Sequence, residues 1–336
     1  MLQPGGKPRL QWVDAAKCVG ILMVIFGHNP INFIYRYYVY SFHMPLFFIL
    51  AGVTFSVRKD FIGFIRAKFK ALMIPYFFFA ACVLAHFEIM NVACGRDYDI
   101  LDEAYHFLIQ DHHSMLWFLV ALFLSEIAAY IIIRLTDRLF VGSEMAVLAC
   151  CAVALLVFHW FTVSMGWRNL PWVLDLLPAC VAFLVMGVIY ARSGVRSGGE
   201  RSWLYIAFVF VISAAATTLN YCLTGGVNMY ECRFGSYPLF IMGVLSSTYF
   251  LFLFVQRQAL PACLLYIGVW SLVYFGFHRL PLEIMFLVYN KLGIAFEPDS
   301  LLSVVLSLVN VPVVCLMVYP ICRFITRRCP WVIGKF

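Results

Sequence analysis

The chain has 336 residues, of which 64% are hydrophobic and 12% are charged, with a formal net charge of +7 and a mean hydropathy of +0.90. This composition excludes an ordinary soluble globular domain and is typical of a helical protein that crosses the membrane many times. The positive charge requires no nucleic-acid partner, because Lys and Arg are enriched in the cytoplasmic loops of membrane proteins.

Long apolar runs predict an all-α fold with about ten transmembrane helices. The predicted spans are 13–30, 38–57, 71–92, 114–133, 145–163, 172–191, 203–219, 238–256, 261–279 and 300–322. Most of the 24 Lys and Arg residues lie on one side of this arrangement, which places that side and both termini in the cytoplasm. The first run lacks a small-residue cleavage pattern, so it is expected to be a retained span.

The first two apolar runs each carry a histidine at a depth where apolar side chains are expected. An ionisable group inside a membrane span is costly and is usually functional. At 100° per residue, Lys17 and His28 differ by about 20° around a helix, and Asp14 lies within about 40° of the same line. Pro30 lacks a backbone N–H, so the helix is expected to end or kink beside His28, against a polar cavity. His43, in the second run, lies at a comparable depth.

An imidazole at such a depth can remove a proton from a hydroxyl group or carry an acyl group transiently. The alternative is that both histidines only bond to backbone carbonyls within the helical hairpin. Because both histidines lie in predicted spans, with Pro30 after the first and Pro45 after the second, we favour the functional interpretation. Neither histidine has a third metal ligand nearby in the sequence, so no metal site is predicted.

The 12 cysteines are scattered and form no C-x-x-C motif, so zinc ribbons and redox motifs are not expected. Most are expected to be small buried hydrophobic residues. Cys94, Cys222 and Cys232 fall in predicted outer loops, where they could pair.

The segment RKDFIGFIRAKFK (58–70) is amphipathic at helical spacing. One interpretation is a helix at the membrane surface that touches anionic lipids. The other is a patch that binds the phosphates of a nucleotide-like cofactor. Composition alone favours the first.

Three stretches resemble the opening of the acyltransferase family 3 membrane proteins, which include O-acetyltransferases of bacterial surface polysaccharides and a fucose 4-O-acetylase-like group. They are WVDAAKCVGILMVIFGH (12–28), SFHMPLFFILAG (41–52) and FKALMIPY (69–76). The ten residues between Lys17 and His28 resemble the basic-x10-His signature of that family, with Lys in place of the more familiar Arg. LWFL (116–119) and YIGVWSLVYFGFH (266–278) resemble later family blocks, whereas 130–220 is similar only in hydropathy.

The resemblance implies an acyltransferase that moves an acetyl group from cytoplasmic acetyl-CoA to a hydroxyl of a cell-surface carbohydrate or lipid-linked glycan. It implies a multi-pass protein of a bacterial-type inner membrane, with acetyl-CoA as co-substrate and no tightly bound cofactor. We expect one membrane-embedded domain over residues 1–336, with no appended soluble domain and no nucleic-acid partner.

The resemblance also assigns roles to residues, and it reverses the preference for the basic segment. The expected catalytic set is His28 with Lys17 and Asp14. The residues expected to face the CoA phosphates are Lys17, Arg58, Lys59, Arg66, Lys68 and Lys70. His43, Trp117 and His278 are expected to bind the acceptor, and for the two histidines the alternative is that they support His28.

Two other classes of function remain open at this stage. A transporter or flippase could use the same polar stripe as a proton or substrate path, although the sequence has no evident inverted repeat. A non-catalytic membrane scaffold would leave the mid-membrane His28 unexplained. The acceptor sugar, the acyl donor, the oligomeric state and the choice between direct transfer and an acyl-histidine intermediate are not fixed by the sequence.

Overall fold

A computed structural model of the protein describes residues 10–30, 34–94, 99–112, 114–194, 201–297 and 300–335. The described chain is helical, and its only β pairing is an isolated antiparallel bridge between Asn228 and Arg233. This confirms the predicted all-α class.

Fourteen α-helices are described in chain order. They are α1 Gln11–Gly27, α2 Ile34–Val53, α3 Phe61–Lys68, α4 Ile74–Cys94, α5 Ile100–Ile109, α6 Trp117–Leu139, α7 Glu144–Ser164, α8 Leu177–Arg192, α9 Trp203–Thr224, α10 Tyr237–Arg257, α11 Ala262–Val269, α12 Ser271–Phe277, α13 Arg279–Lys291 and α14 Leu301–Arg328. A π-helical turn, Phe69–Met73, joins α3 to α4, and 3-10 turns lie at Pro171–Val173 and Pro330–Ile333.

Seven helical segments of the described chain are long and apolar enough to cross a membrane, or eight if the bent pair α12–α13 is one span. These segments are Phe61–Ile89, Trp117–Leu139, Glu144–Ser164, Pro171–Arg192, Trp203–Thr224, Tyr237–Arg257 and Leu301–Arg328. They coincide with seven of the ten predicted spans. The count of ten and the cytoplasmic placement of the termini stay predictions.

Several predicted boundaries are wrong. The predicted span 261–279 is two short helices, because the backbone leaves helical geometry at Trp270 (φ −110°, ψ 22°). Helix α13 was not predicted, since Arg279, Glu283 and Lys291 lower its hydropathy. The basic segment is not a separate surface helix, because α3 continues through the π-helical turn into α4. The predicted loop 93–113 contains the short helix α5.

The chain divides into two compact units. Unit 1 comprises residues 1–50, 195–229 and 233–323, and unit 2 comprises 51–194, 230–232 and 324–336. The prediction of a single domain stays a prediction.

In unit 1, α1 packs against α10, α11 and α12. Ten of its 17 residues are buried, and they lie on all sides of the helix. A Cβ built on Gly268 of α11 would lie 1.9 Å from the carbonyl oxygen of Asp14, so only glycine allows the two backbones to approach this closely. Helix α1 is therefore enclosed by protein.

In unit 2, α8 packs against α6 and α7, and α4 packs against the turn Pro330–Ile333. The side chains of α8 are mostly buried, whereas α7 exposes a broad apolar face. An exposed apolar face is suited to lipid contact in a protein that crosses a bilayer.

Candidate active site

His28 lies at the end of α1, as the sequence predicted. The helix ends at Gly27, and His28 is its C-terminal cap with φ −84° and ψ 0°. Its Nδ1 lies 2.7 Å from the carbonyl oxygen of Val24. A carbonyl oxygen only accepts, so Nδ1 carries the proton and donates, and Nε2 keeps its lone pair. The ring is thus held in the tautomer that can take a proton at Nε2.

His278 lies beside His28 within unit 1, although the two residues are far apart in the sequence. It lies between α12 and α13, where the helical axis bends by 44°. Its Nδ1 donates to the carbonyl oxygen of Phe275 at 2.8 Å, and its buried Nε2 has no hydrogen-bond partner within the described ranges. The ring centroids of His28 and His278 are 4.8 Å apart at an interplanar angle of 65°. Two neutral imidazoles with accepting Nε2 atoms are therefore brought together at two helix ends.

His43 is buried in α2 and repeats the same tautomer. Its Nδ1 donates to the carbonyl oxygen of Val39 at 2.7 Å. It lies within electrostatic range of His28. Tyr40 connects the two helices, because its hydroxyl donates to the carbonyl oxygen of Gly27 at 3.1 Å and its ring packs edge-on against His43 at 5.2 Å. His43 is thus placed to support the histidine pair.

A buried chain of hydrogen bonds holds the residue that follows His28. The side-chain amide Nδ2 of Asn29 donates to the carbonyl oxygens of Ile25 and Phe26 at 2.9 and 3.1 Å. Asn310 of α14 donates to Asn29 Oδ1 at 2.7 Å, and the Tyr289 hydroxyl of α13 donates to Asn310 Oδ1 at 2.6 Å. The network fixes the end of α1 from two other helices.

Sequence reasoning missed Asn310, Tyr289 and Tyr40. A signal was present for Asn310, which is a single amide within the apolar run of α14. Polar side chains in membrane helices commonly bond across helices.

Asp14 and Lys17 share a helix with His28 but do not meet it. Lys17 is eleven residues before His28, which corresponds to about 16 Å along an α-helix. Asp14 is buried next to Gly268, and Lys17 is partly buried. Their assignment to the catalytic set stays a prediction.

The predicted CoA-binding bases other than Lys17 are described in unit 2. Four of them are exposed, namely Arg58, Lys59, Arg66 and Lys70. Lys68 differs, because its Nζ is 2.6 Å from Oε1 of the buried Glu126 and lies over the rings of Phe55 and Phe64. The charge of Lys68 is therefore neutralised by Glu126, and the four exposed bases carry the positive charge of this segment.

Trp117, predicted to bind the acceptor, is the first residue of α6 in unit 2. Its side chain is buried, with 3% exposed. It stacks edge-on with its neighbour Phe118 at 6.4 Å. The described contacts are those of a packed core residue, and its proposed role stays untested.

One cluster of metal-binding residue types lies away from the histidine pair. His112, Asp175 and Cys232 of unit 2 are buried, and their ligand atoms lie within 4.8 Å of one another. The sequence did not predict this cluster, because its three members are far apart along the chain. Cys222 and Cys232, which could have paired in a loop disulfide, are both free thiols, and the side chain of Cys94 lies outside the described residues.

The fold and the histidine pair define a polytopic helical membrane protein with buried proton-accepting groups at its helix ends. The protein-family model of acyltransferase family 3, described as an acyltransferase domain, matches residues 10–327. The chain belongs to this family and is a membrane acyltransferase, which confirms the predicted class. No curated protein and no solved structure matches the chain.

Proposed function

We propose that this acyltransferase moves an acetyl group from cytoplasmic acetyl-CoA to a hydroxyl of a cell-surface carbohydrate, in a bacterial-type inner membrane. The observation that carries the proposal is the pair His28–His278, whose rings are 4.8 Å apart. Both rings donate from Nδ1 to a backbone carbonyl, which leaves Nε2 as the proton acceptor. A fixed accepting nitrogen is what a general base for an alcohol requires.

The proposed reaction uses His28 as the base. Nε2 of His28 takes the proton of the sugar hydroxyl as the oxygen attacks the thioester carbon. The new C–O bond forms, the C–S bond breaks, and the imidazolium returns its proton to the departing CoA sulfur. His278 positions the acceptor hydroxyl, and His43 supports His28 through Tyr40.

Donor binding is assigned to the basic segment and Lys17. Arg58, Lys59, Arg66 and Lys70 are exposed and can form charge-assisted hydrogen bonds to phosphate oxygens. Lys68 is a weaker candidate, because Glu126 already pairs with it. Lys17 is the remaining base of the set, on the helix that ends at His28.

One observation favours the transporter alternative. The bend at His278 divides a span into two short helices, and broken helices line the substrate sites of many transporters. Transport predicts movement of a glycan-related substrate without covalent change. Membership of the acyltransferase family favours the transferase, and both outcomes can be measured in one preparation.

The test is acetyl transfer in proteoliposomes supplied with radiolabelled acetyl-CoA and glycan fractions of the host. We expect His28→Gln to abolish transfer, because glutamine keeps polarity but has no basic nitrogen. His278→Gln should lower kcat at least tenfold. The control is His106→Gln, which changes a partly exposed histidine of α5 in unit 2 and should leave transfer unchanged at pH 8.5.

The acceptor is identified by the gain of one acetyl group on an isolated glycan, measured by mass spectrometry with and without active protein. Full transfer by a folded His28→Gln variant would refute the assigned base. Movement of unmodified glycan across the vesicle membrane, with no acetyl transfer by the wild type, would support the transporter alternative instead.

Direct transfer and the acyl-histidine route predict different amounts of label bound to the protein. Rapid quenching with labelled acetyl-CoA and no acceptor should leave the protein unlabelled if transfer is direct. A label that reaches the acceptor when it is added, and that is absent from His28→Gln, would establish the covalent route.

A further inference from the structure

The cluster His112–Asp175–Cys232 is built by three separate segments of unit 2. His112 follows α5, Asp175 lies between the turn Pro171–Val173 and α8, and Cys232 comes from the short segment 230–232. The exposed fractions of the three residues are 6%, 3% and 1%. Three chemically different ligand types are therefore gathered in one closed position.

The hydrogen bonds orient the donor atoms toward one another. Nδ1 of His112 donates to the carbonyl oxygen of Tyr230 at 2.8 Å, which turns Nε2 toward Asp175. A histidine that binds a metal typically donates its other ring N–H to a carbonyl or carboxylate in this way. The backbone N–H of Asn169 donates to Asp175 Oδ2 at 3.0 Å and fixes the carboxylate.

We propose that His112, Asp175 and Cys232 bind a divalent transition-metal ion, with zinc as the best match. Imidazole nitrogen, thiolate sulfur and carboxylate oxygen are the ligand types that zinc takes in proteins. A neutral imidazole, a thiolate and a carboxylate together balance the charge of one divalent ion. The buried site would then be electrically neutral.

The spacing of the donor atoms fits an ion after a small expansion. Nε2 of His112 lies 2.9 Å from each oxygen of Asp175, and Sγ of Cys232 lies 3.1 Å from Oδ2. Tetrahedral zinc with bonds of about 2.0–2.3 Å separates its ligands by about 3.3–3.6 Å. Both of these pairs therefore have to open by a few tenths of an ångström, which rotation about side-chain bonds supplies.

The alternative is a hydrogen-bonded cluster with no ion. In that state Nε2 of His112 contacts both oxygens of Asp175 and Sγ of Cys232 donates to Oδ2, so the cluster is held by hydrogen bonds alone. Metal content separates the two states.

A cysteine nucleophile activated by His112 does not fit the geometry. Sγ of Cys232 and Nε2 of His112 both contact the Asp175 carboxylate, and the thiol donates its proton to Oδ2 rather than to the imidazole. Burial, and then the Asp175 charge, raises the pKa of the Cys232 thiol, which opposes nucleophilic reactivity in the ion-free state.

The backbone of the cluster is unusual. His112 and Cys232 both have left-handed backbones, with φ of 62° and 51°. Residues other than glycine rarely adopt this conformation, and they are held there by strong surrounding contacts. The ion would supply such contacts to both residues and would act as a structural clamp within unit 2.

The test is the metal content of full-length protein purified in detergent without a polyhistidine tag, after growth with added zinc. We expect about one zinc per chain by mass spectrometry of the elements. Cys232→Ser keeps a donor to Asp175 but removes the thiolate, so zinc should fall at least tenfold. The matched control, Cys222→Ser, changes an exposed free thiol and should keep its zinc.

A second measurement does not depend on how the variants fold. Wild-type protein loaded with Co²⁺ should show a thiolate-to-cobalt charge-transfer band in the near ultraviolet. Wild type with less than about a tenth of an equivalent of zinc and no cobalt band would overturn the proposal, as would zinc retention by Cys232→Ser. The cluster would then be held by hydrogen bonds with no ion. These readouts are independent of acetyl transfer.

Discussion

Asn310→Ala tests whether the buried network positions His28. The substitution removes the bond to Asn29 Oδ1 (2.7 Å) and the bond from the Tyr289 hydroxyl (2.6 Å). Hydrogen bonds between membrane helices contribute about 0.6–1.7 kcal/mol each, so the two together predict a loss of about 1–3 kcal/mol in the free energy of unfolding. Asn310 is fully buried, so water does not replace these bonds.

The effect on catalysis should be larger than the effect on folding. Asn29 is the residue after His28, so release of its side chain allows the helix end and the imidazole to move. A displacement of about 1 Å in a catalytic group can cost about a hundredfold in rate. We expect kcat for acetyl transfer to fall by about ten- to a hundredfold, with little change in KM for the donor.

The assay combines thermal unfolding in detergent with initial rates in proteoliposomes. The matched control is Asn290→Ala, which removes an exposed amide from α13, the helix that carries Tyr289. Equal rates and equal unfolding temperatures for the two variants would refute the positioning role of the network.

Three further outcomes are expected. Glu126→Gln leaves Lys68 without its charge partner and should cost about 3–5 kcal/mol, most of it recovered in a double variant with Lys68→Met, as thermal unfolding would show. Gly268→Ala should lower the free energy of unfolding by about 1–3 kcal/mol or prevent folding, because its Cβ would meet the backbone of α1. Gly243→Ala in α10 should be milder, because the nearest neighbour of its Cβ is 3.3 Å away. A fluorescence-detected gel-filtration assay compares the two. A hydrogen bond to Asp111 raises the pKa of His106, so this pair should stabilise the fold at low pH and lose its effect as pH rises through the raised pKa. His106→Gln should therefore lower the unfolding temperature at pH 5.5 and have no effect at pH 8.5.

The sequence predicted where the first helix ends better than it predicted the neighbours of that helix. The end of α1 beside His28 followed from Pro30, because a helix breaker acts locally. The approach of His278 to His28 joins residues 250 positions apart, and only the family resemblance pointed to it. Local patterns do not encode which helices are neighbours.

Other features had no local signal. The break at Trp270 occurs within a run of apolar residues that is compatible with a continuous helix. The left-handed backbones of His112 and Cys232 had no local signal, since residues other than glycine rarely adopt this conformation. The cluster that contains them could therefore not be predicted from spacing.

The enclosure of α1 has a consequence for how the protein is made. Helix α1 is translated before its packing partners α10, α11 and α12, which lie much later in the chain. Until those partners exist, Asp14 and Lys17 have no protein interior to enter, and 17 residues are a short match to a bilayer. Before that, α1 and α2 therefore have to be held by the insertion machinery or by lipid headgroups. The histidine pair can assemble only after translation has passed residue 278.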